Sequence, residues 1–579
     1  MRFLILTLAL SIAAQAQEVL FRQVEKSRAS SYVEATALFS QPGIVGYLPV
    51  RVSSLNKDTR PLSFQISFTS QSNWNGSLSC SSTFRFTVDA GKRLNQDVMV
   101  PLGPNPQPTR GYGASNIQCV LSGDFAMTNG SIQSELSADQ PAVLLSEALF
   151  TKNASELDSA LKAKLSSSGT SHRGNEVFSA MFDPAQLPED WLGYSGYDSL
   201  ILTDSDWTSI PPGARNAITS WLHLGGQLVI CSSGTVNLQS LGLSHDAGYG
   251  SVETHYMPAD GETLNVPKIL DLVDSGNQAE PQAKAITQDF RSSWHLQNSF
   301  GQKAFNYGLF ILVLIVFSII VGPVNLLVLA KSNKRHRLFL TTPIISLVAS
   351  LILVAMIIFQ DGFGGAGTRH VLMEVRPDQG LNAAYMHQEQ FSRSGILTGS
   401  SFTVDPACFI TPVPLAKSRW TRYTTDYNTK GNFSLQPDGG KLEVSGDWWR
   451  SRSEQGHYLK AVVPTRGRIE PTQTPGEFVS TFDFPLETIY LLDADGNWSR
   501  ADDVKTGTPF TAKEANPNET KLLIDKEASA LSEQLKTTLQ RAKNRLGHYI
   551  AVTEQAPGIE TRKGIRWRKT RTIITGPLN

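Results

Sequence analysis

Two uncharged apolar runs, separated by a short basic segment, are the dominant pattern of this sequence. The first run covers residues 309–330 and the second covers residues 338–359. As α-helices rising about 1.5 Å per residue, each run spans roughly 33 Å, enough to cross a hydrocarbon core about 30 Å thick. The pattern therefore predicts a transmembrane helical hairpin over residues 305–363.

The segment between the two runs predicts the orientation of this hairpin. Loops rich in lysine and arginine stay in the cytoplasm. The loop, residues 331–337, holds four such cations, which are Lys331, Lys334, Arg335 and Arg337. Both flanking parts of the chain must then lie on the other side of the membrane.

The beginning of the chain has the three parts of a secretory signal peptide. Arg2 supplies the charge, residues 3–14 are an apolar run too short to span a bilayer, and residues 14–16 read Ala-Gln-Ala, a cleavage signal. We therefore expect residues 1–16 to be a signal peptide that exports the N-terminal domain. The basic loop independently requires the same orientation.

Alternation of apolar and polar residues predicts β-structure on both sides of the hairpin. Residues 47–52 and 62–68 alternate and are separated by turn residues, which indicates a β-sandwich over residues 17–140. After the hairpin, short stretches of the same kind predict a β-rich domain over residues 368–515. Residues 516–579 are predicted to form a helix plus terminal strands.

The last segment contains two further patterns. Residues 524–546 have leucines at helical spacing, which predicts one amphipathic helix. Residues 562–571 are strongly basic. We predict a solvated hairpin there, with a surface facing anionic lipid or a wall polymer as the alternative.

Between the β-sandwich and the hairpin, the sequence period changes. In residues 141–262, short apolar strands alternate with helical segments such as residues 211–224, which predicts a parallel sheet with helices on its faces. Residues 263–304 form a connector. The expected fold class is a multidomain α+β membrane protein with a β-sandwich, an α/β domain, a helical hairpin and a C-terminal β-rich domain.

Charge and cysteine content exclude several functions. Lys plus Arg and Asp plus Glu both number 52, so no net field attracts nucleic acid. No Cys/His spacing indicates a metal site, and we expect no cofactor.

The glycines in residues 362–367 match the pattern G-x-G-x-x-G of dinucleotide-binding sites. They lie outside a βαβ unit, so we predict a flexible exit linker there. Cys80 and Cys119 are candidates for a disulfide in an oxidising compartment.

Polar and aromatic residues in two other places have a structural explanation. Asn325 lies inside the first apolar run, and we expect it to hydrogen-bond across the hairpin to Thr341 or Thr342. Trp448 and Trp449 follow a predicted strand. We predict a core position for this pair, with an exposed sugar-stacking or partner surface as the alternative.

One stretch of the α/β region carries a recognisable pattern. A Tyr-Asp pair, a strand ending in an acid, a helix, and a Trp followed by Gly-Gly and a strand run through residues 196–234, with these matching residues: Tyr197, Asp198, Asp204, Trp221, Gly225 and Gly226. The pattern resembles the class I glutamine amidotransferase-like fold, in particular its non-amidotransferase relatives. This resemblance implies a flavodoxin-like domain over residues 141–262.

Cys231 falls where true amidotransferases of this fold place a nucleophilic cysteine on a tight elbow. Such a thiolate needs small flanking residues and a histidine to accept its proton. Val229 and Ser233 stand where the elbow has glycine, and only His245 and His255 follow as nearby bases. The sequence therefore favours a catalytically degenerate domain.

A second resemblance covers the hairpin. Residues 322–347 combine Gly-Pro-x-Asn in one helix, a basic turn and a proline in the next helix. After an amidotransferase-like domain, this arrangement resembles a set of bacterial two-helix membrane proteins without an assigned activity. The resemblance implies partners of the MoxR ATPase and von Willebrand A-domain type. Together with the orientation that the basic loop and the signal peptide predict, we expect a place in the bacterial inner (cytoplasmic) membrane with both large domains extracytoplasmic.

The predicted function follows from these features. We expect a binding or scaffold protein of the bacterial envelope, anchored in the lipid bilayer, whose amidotransferase-like domain is degenerate. An envelope cysteine hydrolase that uses Cys231 with His245 or His255 remains the alternative.

Overall fold

The computed structural model describes residues 17–578 with the exception of several segments. These segments are residues 27–29, 42, 44, 73–77, 104–114, 135, 137–139, 168–178, 246, 259–262, 276–280, 289, 291–293, 302–306, 331, 377–381, 398, 400 and 416–430. The predicted signal peptide and Lys331 lie outside the described residues. The described chain is a mixed α+β protein in which sheets predominate, with two long apolar helices.

Two layers of antiparallel strands form the N-terminal region. The strands are β1 Glu18–Glu25, β2 Ser31–Ala37, β3 Tyr47–Leu55, β4 Leu62–Ser72, β5 Leu78–Val88, β6 Arg93–Pro101, β7 Ser115–Gly123 and β8 Thr128–Ser134. One sheet contains β1, β2, β3 and β6, and the other contains β4, β5, β7 and β8. Alternate residues of both sheets, such as Val50 and Ile66, contribute to one shared core.

The α/β region contains a five-stranded parallel sheet. Its strands are β9 Val143–Ser146, β10 Ser179–Phe182, β11 Ser199–Thr203, β12 Gln227–Ser232 and β13 Ser251–Tyr256, and its helices are α1 Glu147–Ser167, α2 Asp204–Ser209 and α3 Pro212–His223. The spatial order is β10-β9-β11-β12-β13. Strands β9 to β12 are buried at every position, as expected for a parallel sheet covered on both faces.

Three short helices connect this region to the hairpin. They are α4 Val266–Ser275, α5 Gln282–Gln288 and α6 His295–Phe300. The first arm of the hairpin is α7 Tyr307–Ile319, which continues as a π-helix over Ile320–Leu329. A 3-10 turn, Ser332–Arg337, leads to the second arm, α8 Leu338–Asp361. Both arms are long and apolar enough to span a membrane, and their side chains are largely exposed.

The interior of the hairpin contains a polar cluster. Asn325 is fully buried; its Nδ2 donates to Thr342 Oγ1 over 3.0 Å, and its Oδ1 accepts from Thr341 Oγ1 over 2.7 Å. The predicted hydrogen bonding across the hairpin is thus confirmed for both threonines. The π-helix contains Pro323, which has no N–H to donate, so the wider turn accommodates a missing backbone bond.

Most of the chain after the hairpin is β-structure. The strands are β14 Gly365–Arg376, β15 Ala383–Ser394, β16 Phe402–Val404, β17 Cys408–Val413, β18 Gly431–Asp438, β19 Lys441–Gly446, β20 Glu454–Pro464, β21 Ile469–Pro471, β22 Glu477–Ser480, β23 Leu486–Leu492, β24 Trp498–Val504, β25 Pro509–Thr511, β26 Lys513–Glu514, β27 His548–Thr553 and β28 Ile565–Pro577. Two helices, α9 Pro517–Ala528 and α10 Glu533–Ala542, precede the last two strands.

These strands form a nine-stranded sheet in the order β17-β20-β15-β14-β28-β27-β23-β24-β26. Both faces of its centre are buried. Leu372 and Tyr385 belong to a core shared with the α/β region, whereas Met373 and Met386 belong to a separate core on the other side. The first core also includes Leu535 of α10. The α/β region, the sheet and the last helices therefore pack as one body.

The N-terminal sandwich and the region after the hairpin share a sheet. Strand β18 pairs in parallel with β5, and β19 and β16 extend the same sheet beyond β18. The resulting order is β16-β19-β18-β5-β4-β7-β8. At one edge of the pairing, Ser79 Oγ donates to Asn432 Oδ1 over 2.9 Å. The hairpin is thus an insertion within a body that contains chain from before and after it.

The predicted flexible exit linker is wrong. Gly362 ends α8 with a φ of +73°, and the central strand β14 begins at Gly365. A Cβ on Gly367 would lie 2.6 Å from the carbonyl oxygen of Phe391 on the neighbouring strand. The glycines are therefore needed for a turn and for close strand packing, and the membrane helix leads directly into the sheet.

Two further predictions for the end of the chain are corrected. The single helix predicted over residues 524–546 is two helices, because Ser532 caps the start of α10 and interrupts the run. Its leucines 531, 535 and 539 are buried as the pattern indicated. The basic stretch 562–571 does not form a hairpin by itself, because residues 565–571 are the first part of β28 and pair in parallel with β14; most of its charged side chains are exposed, as predicted.

The candidate disulfide between Cys80 and Cys119 is not formed. Both are buried free thiols. Cys80 pairs with Ser70 and Cys119 pairs with Phe68, on opposite sides of β4. Two strand spacings separate them by about 10 Å, whereas a disulfide needs Cα atoms within about 7 Å.

The shared sheet predicts an engineered cross-link between the two parts of the chain. In the variant S79C/N432C we expect a disulfide, because the native side chains already meet across β5 and β18. A protease site inserted in the hairpin loop would then yield halves that stay joined on a non-reducing gel. The single variants S79C and N432C are the controls, and separate halves in the double variant would contradict the pairing.

Candidate functional site

Cys231 lies near the carboxyl end of the parallel sheet. It is the last but one residue of β12, and its register partners are Thr203 on β11 and His255 on β13. Partners at the same level of a sheet project from the same face. The structure therefore brings His255 beside Cys231, but it places the cysteine within a paired strand and not on a turn.

The thiol of Cys231 is shielded from solvent. The residue has no exposed surface. Burial, with smaller contributions from the carboxylates of Asp206 and Asp204, raises the pKa of Cys231 to about 12. A thiol with this pKa stays protonated at neutral pH, so it is a poor nucleophile.

Neither candidate histidine forms a catalytic pair with Cys231. Burial, and to a smaller extent the charge of Lys268, lowers the pKa of His255. Among the described residues, no hydrogen bond joins the sulfur of Cys231 to the ring of His255. His245 is exposed, and its Nδ1 lies 3.3 Å from the carbonyl oxygen of Val252.

The acids that follow β11 have structural partners. Thr203 Oγ1 accepts from the N–H of Asp206 over 3.0 Å, and Asp206 Oδ2 accepts from the N–H of Thr203 over 3.0 Å, which is a capping box for α2. Ser232 Oγ donates to Asp204 Oδ2 over 2.8 Å. This edge of the sheet is thus held together by its own polar groups.

The remaining residues of the amidotransferase-like pattern also have packing roles. Tyr197 donates its hydroxyl hydrogen to the carbonyl of Gln41, which ties the α/β region to the sandwich. Gly225 has a φ of +105°, and a Cβ on Gly226 would lie 2.3 Å from the Trp221 ring. Glycine is therefore required at both positions, for the turn and for the contact with tryptophan.

Asp198 is the centre of a buried junction that joins three parts of the chain. Its carboxylate accepts from the N–H of Ala142 over 2.8 Å and from the N–H of Gln282, in the connector, over 2.9 Å. Lys460, on β20 of the large sheet, donates to the side chain of Gln282. Among the described residues, these contacts link the parallel sheet, the connector and the region after the hairpin.

Both charged groups of this junction have shifted pKa values. Burial raises the pKa of Asp198 to about 6, against the opposing effects of its two N–H donors and of Lys460. Burial lowers the pKa of Lys460 to about 8, and the charge of Asp198 opposes that shift. The junction is therefore costly to desolvate and depends on both partners being present.

A second polar junction lies between the α/β region and the large sheet. Glu374 on β14 is fully buried and accepts from Arg376 over 3.2 Å and from Arg545 over 3.0 Å. Nearby, the hydroxyl oxygens of Tyr249 and Thr575 lie 3.1 Å apart. The sequence analysis predicted neither junction. The signal that could have indicated the first one is Lys460, a charged residue next to apolar residues in what became β20.

One cleft with a defined lining is in the region after the hairpin. Its volume is about 570 Å³. It is lined by the buried side chains of Met373, Met386 and Phe482 and by the exposed residues Asp405 and Lys441. Cys408 lines it but is fully buried, and burial raises the pKa of its thiol. The cleft can accept an apolar group bordered by polar contacts, and it presents no activated thiol.

The other predicted residues occupy structural positions. Trp448 and Trp449 are both buried, so the core prediction for this pair is confirmed. Lys334, Arg335 and Arg337 are exposed in the turn at the tip of the hairpin. Within the described ranges, no cluster of three or more His, Cys, Asp or Glu side chains is arranged to hold a metal ion.

Comparisons with known proteins give no family. No protein-family model matches the chain, and no curated protein matches it. Among solved structures it is similar to red sea bream transglutaminase, with 14% identity, 22% of this chain and 19% of that chain covered, and a TM-score of 0.14.

Two bacterial carbohydrate-active enzymes give similarly low values. A Bacteroides uniformis β-glucuronidase has 8% identity, 44% and 40% coverage and a TM-score of 0.18. A Paenibacillus cycloisomaltooligosaccharide glucanotransferase has 6% identity, 73% and 69% coverage and a TM-score of 0.14. The chain spans less than half the length of the transglutaminase and the glucuronidase. With TM-scores this low, none of the three carries an argument about fold or function.

The burial of Cys231 predicts that its thiol is unreactive in the folded chain. At pH 8, a pKa of about 12 leaves on the order of one thiolate in 10⁴ molecules. We expect iodoacetamide to modify Cys231 only after denaturation, measured by mass spectrometry of its peptide. The variant S233C places a thiol at an exposed neighbouring position and should react readily. Rapid native labelling of Cys231 would contradict the closed site.

The Asp198–Lys460 junction predicts a pH dependence of stability. Asp198 has a higher pKa in the folded state than when unfolded, so its stabilising contribution is present below about pH 4 and is lost as the pH rises through about 6. Relative to the variant D198N/K460M, the free energy of unfolding of the wild type should fall by roughly 2 kcal/mol over this range.

The lowered pKa of Lys460 has the opposite consequence at high pH. Its stabilising contribution is present above about pH 10 and is lost as the pH falls through about 8, so the wild type should regain stability above pH 8. Denaturant unfolding of the detergent-solubilised chain measures both effects. The variant D502N/R500M, at an exposed ion pair, is the control, and parallel profiles for the wild type and D198N/K460M would contradict the prediction.

Proposed function

We propose that this protein is a membrane-anchored binding or scaffold protein of the bacterial envelope, with both large regions outside the cytoplasm. The observation that carries the proposal is the single body built from chain on both sides of the hairpin. Because β18, from after the hairpin, pairs with β5, from before it, both arms of the hairpin start from the same body. A hairpin of this kind holds a large folded body at a membrane surface.

The charge at the tip of the hairpin supports the proposed orientation. The exposed cations Lys334, Arg335 and Arg337 lie at the end opposite to the body, with Lys331 adjacent in sequence. Under the positive-inside rule, this tip stays in the cytoplasm and the body lies outside. A signal peptide over residues 1–16 is part of the same proposal, since it would export the sandwich.

We also propose that the α/β region is a degenerate amidotransferase-like domain. The order β10-β9-β11-β12-β13 is 2-1-3-4-5 in chain order, the strand order of flavodoxin-like folds. The closed position of Cys231 supports a role in binding or assembly over the alternative, an envelope cysteine hydrolase. Partners of the MoxR ATPase and von Willebrand A-domain type follow from the resemblance alone.

The cleft in the region after the hairpin is the proposed place for a bound group. Its volume of about 570 Å³ lies within the range of roughly 300–1,000 Å³ that small-molecule sites occupy. Apolar side chains with a few polar groups at the rim are also typical of such sites. The chemistry that this cleft offers is recognition, because its cysteine is buried and protonated.

Thiol accessibility tests the proposed orientation. All four native cysteines are buried, so an introduced cysteine is read against a low background. We expect a membrane-impermeant maleimide to label S233C, in the body, on intact spheroplasts, and to label S332C, at the tip, only after lysis. The two serines are both exposed, which makes them matched positions. The reverse pattern would overturn the orientation and the envelope role with it.

A further inference from the structure

The start of β28 brings basic residues to the place where the second membrane helix enters the body. Strands β28 and β14 are parallel, with Gly365 opposite Ile565 and Ala366 opposite Arg566. Helix α8 ends at Asp361. With about 3.3 Å per strand residue and about 4.8 Å between strands, the Cα of Arg566 lies within roughly 17 Å of the end of the helix.

A β-bulge directs a second arginine towards the other arm of the hairpin. The register shifts so that Trp567 lies opposite Gly367 and Lys569 lies opposite Thr368, which leaves Arg568 as the extra residue. The guanidinium of Arg568 lies 5.1 Å from the centre of the Phe300 ring, at the end of α6. Arg568 is therefore held beside the chain that leads into α7.

The ion pairing along β28 changes with distance from the membrane arms. Farther along the strand, Lys569 pairs with Glu554 over 2.7 Å, and Arg571 pairs with Glu487 and Glu527. Near the arms, Arg566 and Arg568 are exposed, and so is Lys563 in the preceding turn. In the part of the chain that the structure describes, these three cations have no carboxylate within salt-bridge distance.

Aromatic side chains also lie where the second membrane helix enters the body. Phe359 and Phe363 are 87% and 72% exposed at the end of α8, and Trp567 is half-buried beside the unpaired cations. Aromatic residues collect at the boundary between hydrocarbon and headgroups. Arginine binds phosphate through two parallel hydrogen bonds. Cations close to the membrane surface attract anionic lipids.

We propose that Lys563, Arg566 and Arg568 form a binding surface for the phosphate groups of anionic lipids, in the leaflet that the body faces. The proposal rests on the membrane anchoring proposed above and adds a specific ligand class to it. Bound headgroups would hold the end of the large sheet against the bilayer, because the two arms alone leave the body free to tilt.

Spin-labelled lipids test this surface on the full chain reconstituted in phosphatidylcholine vesicles. The motionally restricted fraction of spin-labelled phosphatidylglycerol, compared with that of spin-labelled phosphatidylcholine, gives the lipid preference. A cation near an anionic surface contributes a factor of about five. We expect the wild type to prefer phosphatidylglycerol, and K563Q/R566Q/R568Q to lose at least one such factor.

Two control variants separate charge at this surface from charge in general and from misfolding. K513Q/K521Q removes two exposed cations beyond β24, far from the arms, and should keep the wild-type preference. R566K/R568K keeps the charge and should retain most of the preference. If the glutamine variant does not fold, this variant is compared with the wild type in its place.

Several outcomes would overturn the proposal. Equal preferences in the wild type and in a folded glutamine variant would exclude these three residues as the lipid site. Retention of a soluble polyphosphate by the wild type, with no lipid preference, would assign the surface to a soluble ligand. A chain that does not enter vesicles would contradict the membrane anchoring itself, whereas an inserted chain without any preference would contradict the lipid surface alone.

Discussion

The backbone pairing of strands that lie far apart in sequence is the constraint on which the rest of this structure depends. Strand β18, from after the hairpin, extends the sheet of β5, from before it, and β28 pairs with β14 about 200 positions earlier in the same region. Buried backbone N–H and C=O groups require partners, so the sheet that contains β5 needs chain from both sides of the hairpin. The chain must therefore return to the same body after its two long apolar helices. This requirement places the arms side by side and the basic tip at the opposite end.

Buried charges determine how the parts of that body meet. Asp198 directly precedes β11 of the parallel sheet, Lys460 lies on β20 of the large sheet, and Gln282 connects the two. Buried Glu374 accepts hydrogen bonds from two arginines. A buried ion pair adds little net stability over apolar packing, because desolvation offsets the attraction. Its loss is costly, however, when one partner remains. Such groups therefore favour one arrangement of the α/β region on the large sheet over others.

Burial also decides which parts of the molecule can meet a ligand. Cys231 sits inside a paired strand, where burial keeps its thiol protonated. Two surfaces of the described residues that remain open are the cleft beside Met386 and the basic start of β28 at the foot of the hairpin. Both suit recognition, since one offers apolar area with a polar rim and the other offers cations without carboxylate partners.

The sequence by itself determined the features that depend on local pattern: the two apolar helices, the basic tip, the alternation of the sandwich strands, the parallel α/β region and the Asn325 contact. Tertiary structure decided what depends on distant partners. Strand β15 is polar in sequence yet central and buried, because His387, Gln388 and Glu389 find partners on other elements. The glycines after α8 look flexible until the neighbouring strands are present. The separation of Cys80 from Cys119 likewise depends on which strand lies between them, which no local period records.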